Sequence, residues 1–185
     1  MSAAENRYPW YETVRAESLE QGDILREFPV LVADSNLAAN ADQLQGEIRT
    51  FDLVVLTQSC DLENDKVRSV LLCPVYDLWL FVDEARKRNE NWSGEIREKL
   101  RQGNLPGYHL LADANQDGLK LPLAVVDFHE VYTAPLQQLK QFVAATAGRL
   151  RLCPPYKEHL AQAFARFFMR VGLPVPIARE KLKNR

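Results

Sequence analysis

Glycine, cysteine and histidine are all scarce in this chain, at eight, three and three among 185 residues. The few glycines are scattered, so no glycine-rich phosphate loop, Gly-x-Ser-x-Gly elbow or zinc-finger spacing occurs, and the common nucleotide-binding and hydrolase classes are disfavoured. The cysteines Cys60, Cys73 and Cys153 are odd in number and far apart. That argues against a secreted disulfide framework and suits reduced thiols in a cytoplasmic protein. No apolar run approaches the roughly 20 residues that span a bilayer, and the first residues lack an apolar segment of signal-peptide type. Excess charge is missing too. Twenty-three basic against 25 acidic residues give a net charge of −2, so no global field draws the protein to nucleic acid or to an anionic membrane.

What is present is an ordinary globular composition, 46% apolar and 26% charged, in a chain long enough to bury a sizeable core without a metal or disulfide staple. The reactive groups concentrate in residues 51–63, FDLVVLTQSCDLE. There a continuously apolar strand pattern ends abruptly in Thr57, Gln58, Ser59, Cys60 and Asp61, side chains that the end of a buried strand can aim.

Around this stretch the chain reads as α+β and as a single domain over residues 1–185. Tyr8, Trp10 and Tyr11 mark an arm pinned by aromatics. Residues 24–33 read as strand, broken near Pro29 because proline removes a ladder donor. Residues 34–45 read as a loop or short helix. Residues 47–58 and 67–75 form a central hairpin with a polar connection, whereas 77–102 show three- and four-residue apolar steps that predict a helical insertion of two helices meeting at 91–94. Strand character returns at 108–111 and 119–128 around a hairpin loop, and residues 131–133 extend the sheet. A helix over 135–145 and a strongly amphipathic one from Tyr156 close the helical C-terminus at about residue 172. The tail from 175 to 185 reads as frayed.

Gly22-Asp23-Ile24, the apolar strand Leu53 to Leu56, Cys73-Pro74-Val75, and Val125-Val126-Asp127-Phe128 with Val131 and Leu136 together resemble the MazF/PemK-type toxins. The resemblance implies a small SH3-like β-barrel core over about 22–76 and 108–133, with residues 77–107 inserted and helices appended. The two RNase residues of that family do not carry over: Thr50-Phe51-Asp52 stands where an arginine-proline pair is usual, and Pro74-Val75-Tyr76 lacks the following threonine or serine. TQSCDLE, with RLRLCPPYKEHLAQAFARFFMRVGLP, also resembles a bacterial family some of whose members are encoded near mobile elements. That likeness implies no activity.

The expected function is therefore a binding or interaction module of a bacterial toxin-antitoxin, phage-defence or mobile-element system, with a pocket beside Cys60, a protein partner or a second copy of itself, and no cofactor. Thr57, Gln58 and Ser59 are its expected binding residues. The alternative is an enzyme in which Cys60 is a nucleophile, activated by His109 or His129 with Asp61 or Asp127 orienting the ring, or else a diverged RNase. Cys60, Asp61, Cys73 and His109 are all ligand types that suit zinc, but the close spacings of a metal site are absent. Against these stands a plainer assignment, in which Gln58, Ser59 and Asp61 bond backbone groups and fix the loop, and Glu63 belongs to a solvated acidic turn. The best basic patches, Arg86-Lys87-Arg88 with Trp92 and the Arg166/Arg170 face, are diluted by nearby glutamates. His159 falls on the solvated side of the last helix.

Overall fold

The structure, a computed structural model, describes residues 8–33 and 46–169. The expectations for 34–45 and for the tail fall outside these residues. The fold is α+β, and among the described residues no helix is long and apolar enough to cross a membrane.

A six-stranded antiparallel sheet forms the centre. Its strands are β2 (Ile24–Ala33), β3 (Gly46–Val55), β4 (Ser69–Asp77), β8 (Ala124–Asp127) and β5 (Tyr108–Leu111), hydrogen-bonded in that order, with β9 (Tyr132–Pro135) also paired to β4. The central hairpin is the β3–β4 pair, with Val54 opposite Cys73. Its apolar runs are explained by burial on both faces. Val54, Cys73 and Val75 join one core cluster, while Leu53, Val55, Val70 and Leu72 join another on the opposite side, as the two-residue alternation of a strand requires.

The sheet does not close into the expected SH3-like barrel. A separate pair, β1 (Tyr11–Val14) with β10 (Arg149–Leu152), is tied by backbone pairing to the residue before β2 through an isolated bridge between Asp23 and Arg151. A small hairpin, β6 (Ala114–Gln116) with β7 (Leu119–Leu121), turns through Asp117 and Gly118, both at positive φ, the requirement of a tight two-residue turn. The strand expected over 119–128 is thus two strands. The insertion is helical as expected, with α2 (Leu78–Lys87) and α3 (Gly94–Arg101) packing Val82, Ala85, Trp92 and Leu100 against Val125 of β8. Asp77 caps α2 by accepting from the Trp79 and Leu80 N–H groups, which are among the donors a helix start leaves unpaired. α1 (Ser59–Glu63), α4 (Leu136–Ala145) and α5 (Tyr156–Phe168) complete the chain. Trp10 stacks on Tyr156 and pins the N-terminal arm.

Two irregularities shape the sheet. The break expected at Pro29 lies earlier, between Leu25 and Phe28, where Glu27 has φ 52°. Pro29 itself pairs with Thr50, tolerated because β2 is an edge strand. The second interrupts the partner of β4. Val75 pairs with Val126 and Leu72 with Tyr132, so three residues along β4 match six along β8–β9, and three are extra. The surplus falls within residues 128–131, an excursion between the two strands.

β10 has no counterpart in the sequence expectations, because Arg149 and Arg151 disguise a fully buried strand. Their guanidinium groups converge on Asp23, which is completely buried. Arg149 Nε lies 2.8 Å from Oδ2 and Arg151 Nε 2.5 Å from Oδ1, and the remaining nitrogens donate to the Ala16 and Ser18 carbonyls and to Glu20. Removing the carboxylate leaves two buried cations without their counter-charge. Asp23→Ala is expected to cost about 3–5 kcal/mol, read as a lower midpoint in urea unfolding, and substitutions at exposed Glu158 are expected to leave the midpoint in place.

Candidate functional site

The thiol-bearing segment is spent largely on the backbone. Thr57 Oγ1 accepts the Leu71 N–H at 2.8 Å, and Ser59 Oγ accepts the Gln21 N–H at 3.1 Å. Gln58 is the N-cap residue of the five-residue α1. Cys60 is exposed, with Sγ 3.8 Å from both Gln58 Oε1 and Asp61 Oδ1; neither is an imidazole or a cation. His109 sits in β5, separated from β3 by β4 and β8, and its ring faces Phe128. The structure therefore does not bring Cys60 together with either expected histidine. Among the described residues no group of three His, Cys, Asp or Glu side chains is placed to hold a metal ion.

The two irregularities in the sheet meet elsewhere. Between them and α2 lies an open groove of about 900 Å3. One wall is the β2 irregularity and its partner: Asp52 Oδ1 accepts the Glu27 N–H at 2.9 Å, and Arg26 Nε pairs with Asp52 at 3.0 Å. Opposite stand Leu80, Phe81 and Glu84 of α2. Tyr76 and Tyr108 line it as well, and the 128–131 excursion supplies His129 and Glu130. Bulges of this kind re-aim side chains that a regular ladder would point into a neighbour.

Asp127 and His129 are joined by two hydrogen bonds in the groove. Nδ1 of His129 lies 2.6 Å from Asp127 Oδ1, and the same oxygen accepts the His129 backbone N–H at 2.8 Å. The Asp127 side chain is 10% exposed and the His129 side chain 50%. The ring lies against Gly107, where an added Cβ would meet the imidazole carbon Cε1 and come within 2.8 Å of Nε2. Gly107 also has φ +89°, so both sterics and backbone demand glycine there. Tyr108 and Phe167 flank the ring. Glu130 Oε2 accepts two phenol protons, from Tyr76 and Tyr132, each at 3.0 Å. Burial first, then the charge of Glu130, pushes both phenols up, Tyr132 to about 12, and Tyr108 also rises to about 12, through burial and then Asp127.

No protein-family model matches this chain, and the curated proteins hold no significant match to it. The site thus has to be read from its own chemistry.

Seven of the groove-lining residues are aspartate or glutamate and two are arginine. Both arginines are already paired, Arg26 with Asp52 and Arg88 with Glu90. The basic patch at residues 86–88 is likewise consumed, by Asp83, Glu84 and Glu90, and Trp92 is buried. His129 was legible as a candidate in the sequence. Tyr76, Tyr108, Glu130 and Gly107 were not, because nothing in their spacing announces a three-residue strand interruption.

The thiols give a direct check on these placements. An aromatic disulfide reagent is expected to modify Cys60 readily in the folded protein, while Cys73, fully buried and pushed up to about 12 by burial and then by Asp127 and Glu130, reacts only after unfolding.

His109 provides a second check. Burial, with a smaller push from His159, lowers it to about 4 against an ordinary value near 6.5. The unfolded chain therefore binds the extra proton over that window, and the stability contributed by neutral His109 is complete above about pH 6.5 and is lost as pH falls towards 4. The loss amounts to about 2–3 kcal/mol. His109→Phe is expected to flatten this acid limb of a urea-midpoint-against-pH curve.

Proposed function

We propose that the protein is a binding module whose groove receives a cationic segment of a protein partner. The bacterial toxin-antitoxin, phage-defence or mobile-element setting belongs to the same proposal and rests on the sequence resemblance. The observation that carries the reading is the charge of the groove: of its seven lining carboxylates, Asp52, Glu84 and Glu90 are paired with Arg26, Lys87 and Arg88, and Glu27, Asp77, Asp127 and Glu130 have no lysine or arginine partner among the described residues. A lysine or arginine side chain brings the missing counter-charge, and the faces of Tyr76, Phe81 and Tyr108 suit a cation lying over a ring. The partly apolar wall, with Leu80 at 68% exposure, can cover the stem of such a side chain.

The same charge weighs against the diverged-RNase alternative. Thr50, Phe51 and Asp52, which stand where the RNase family usually carries its arginine-proline pair, line this groove, and an aspartate repels the phosphate that an arginine would hold. The proposed binding surface is thus this groove and not the neighbourhood of Cys60.

A short labelled lysine-rich peptide is expected to bind, with affinity falling as salt rises through the range where the screening length drops to about 10 Å and below. Its glutamate counterpart and oligouridylate are expected not to bind. Glu27→Gln and Glu84→Gln should each weaken the lysine peptide by about two- to fivefold, the range of an exposed ion pair. Fluorescence anisotropy reads all of these, and preference for oligouridylate would reverse the assignment.

A further inference from the structure

The exposed imidazole of His129 is held more tightly than a surface side chain needs. The turn at 127–129 requires only that Asp127 accept the His129 backbone N–H, which is an Asx-type turn in its own right. The ring adds nothing to that turn. Yet its Nδ1 is fixed on the nearly buried carboxylate, and the space it occupies exists because residue 107 has no side chain. A carboxylate on Nδ1 keeps the proton there and leaves Nε2 as the free lone pair. This is the arrangement of a positioned base with an orienting partner.

We propose that His129 is a general base that activates water in the groove for hydrolysis of a carboxylic ester or amide in a cationic substrate, with Asp127 as its positioning residue. The charge of the substrate rests on the binding reading above. In the first step a water oxygen forms a bond to the carbonyl carbon while its proton passes to Nε2. In the second the tetrahedral adduct collapses, the bond to the leaving oxygen or nitrogen breaks, and that atom takes the proton back from Nε2. Substrate and water become acid and alcohol or amine, with no change of oxidation state.

The surroundings fit a carbonyl better than a phosphoryl centre. Asp127, Glu130 and Glu90, the last paired with Arg88, all lie close enough to Tyr108 to add to burial in raising its phenol, and a phosphodiester would bring further negative charge among them. A carbonyl oxygen develops one charge, and only in the transition state. The Tyr108 phenol, raised to about 12 and so protonated at neutral pH, is a groove-lining donor of the type such an oxygen requires.

The test uses three probes on the full chain: the p-nitrophenyl ester of Nα-acetyl-lysine, p-nitrophenyl acetate and bis(p-nitrophenyl) phosphate. The lysine ester is expected to turn over with the highest kcat/KM and the phosphate diester not at all. His129→Gln should lower kcat about 100-fold or more with KM little changed, while still binding the lysine peptide, which shows that its fold and groove are intact. The fall of kcat towards acid should be a one-proton limb that vanishes in His129→Gln. Asp127→Asn should lower kcat and displace that limb, a result that a purely structural role would not produce. Turnover in His129→Gln equal to the wild type overturns the inference. So does a wild type that binds the lysine peptide yet hydrolyses no ester, and in that case the binding reading survives. Equal hydrolysis of both esters without lysine-peptide binding overturns the cationic substrate and the binding reading together, and upholds His129 as the base.

Discussion

The carboxylate of Asp23 is the joint on which the two β layers depend. Arg149 and Arg151 occupy a strand whose four residues are all buried, and a guanidinium loses its hydration there. Such burial is tolerable only where the opposite charge and enough acceptors are fixed in place. Asp23 supplies the charge and the 16–20 segment supplies the acceptors. The backbone completes the joint: Gly22 N–H donates to Val55 O, Val55 N–H to Asp23 O, and Leu152 N–H to Gly22 O. Gly22, at φ +86°, lies so close to Leu152 that a Cβ would sit 3.0 Å from that side chain's own. One Gly-Asp dipeptide thus sews the end of β3 to β10.

That joint also determines where the groove can form. Asp23 leads directly into Ile24 and Leu25, which are in register with Val54 and Leu53, and the register slips only after them. With the first two residues of β2 clamped, the slip falls on Arg26 and Glu27, and Asp52 on the neighbouring strand stabilises it through the Glu27 N–H and the Arg26 guanidinium. Two strands further across, the excursion after Asp127 does the same on the other side of β4. Each fault leaves backbone and side chains that no ladder uses, and α2 overhangs the space between them. The groove is therefore a product of two interrupted strands, not of an opening at the mouth of a barrel.

This origin explains what the sequence could and could not reveal. The central hairpin, the helical insertion and the last helix were legible because their apolar periods are strong and local. β10 was hidden because its arginines look solvated until Asp23, 126 residues away from Arg149, is brought beside them. The density of polar groups at residues 57–61 pointed to a site, but Thr57 and Ser59 turn their oxygens onto the backbone of Leu71 and Gln21, the plainer of the two readings available for such residues. His129 and Asp127 could be named as a ring and its possible orienter. Their union depended on a register fault that periodicity does not encode, and Cys60 was left without the imidazole of His109 because β5 lies three strands from β3.

On the proposed reading, the electrostatics of the groove tie recognition to chemistry. Glu130 accepts the Tyr76 and Tyr132 phenol protons, and both phenols, through burial first and then the Glu130 charge, hold those protons more firmly. Asp127 is served in the same manner by a backbone N–H and an imidazole. These two carboxylates are thus held by donors other than lysine or arginine, and no internal ion pair with such a residue cancels their charge. Three other lining carboxylates do show such cancellation, Asp52 by Arg26, Glu84 by Lys87 and Glu90 by Arg88. On the proposed reading, a cation that passes them meets aromatic faces and the carboxylates of Glu27, Asp77, Asp127 and Glu130, which no lysine or arginine among the described residues matches, and the group it carries lies beside His129.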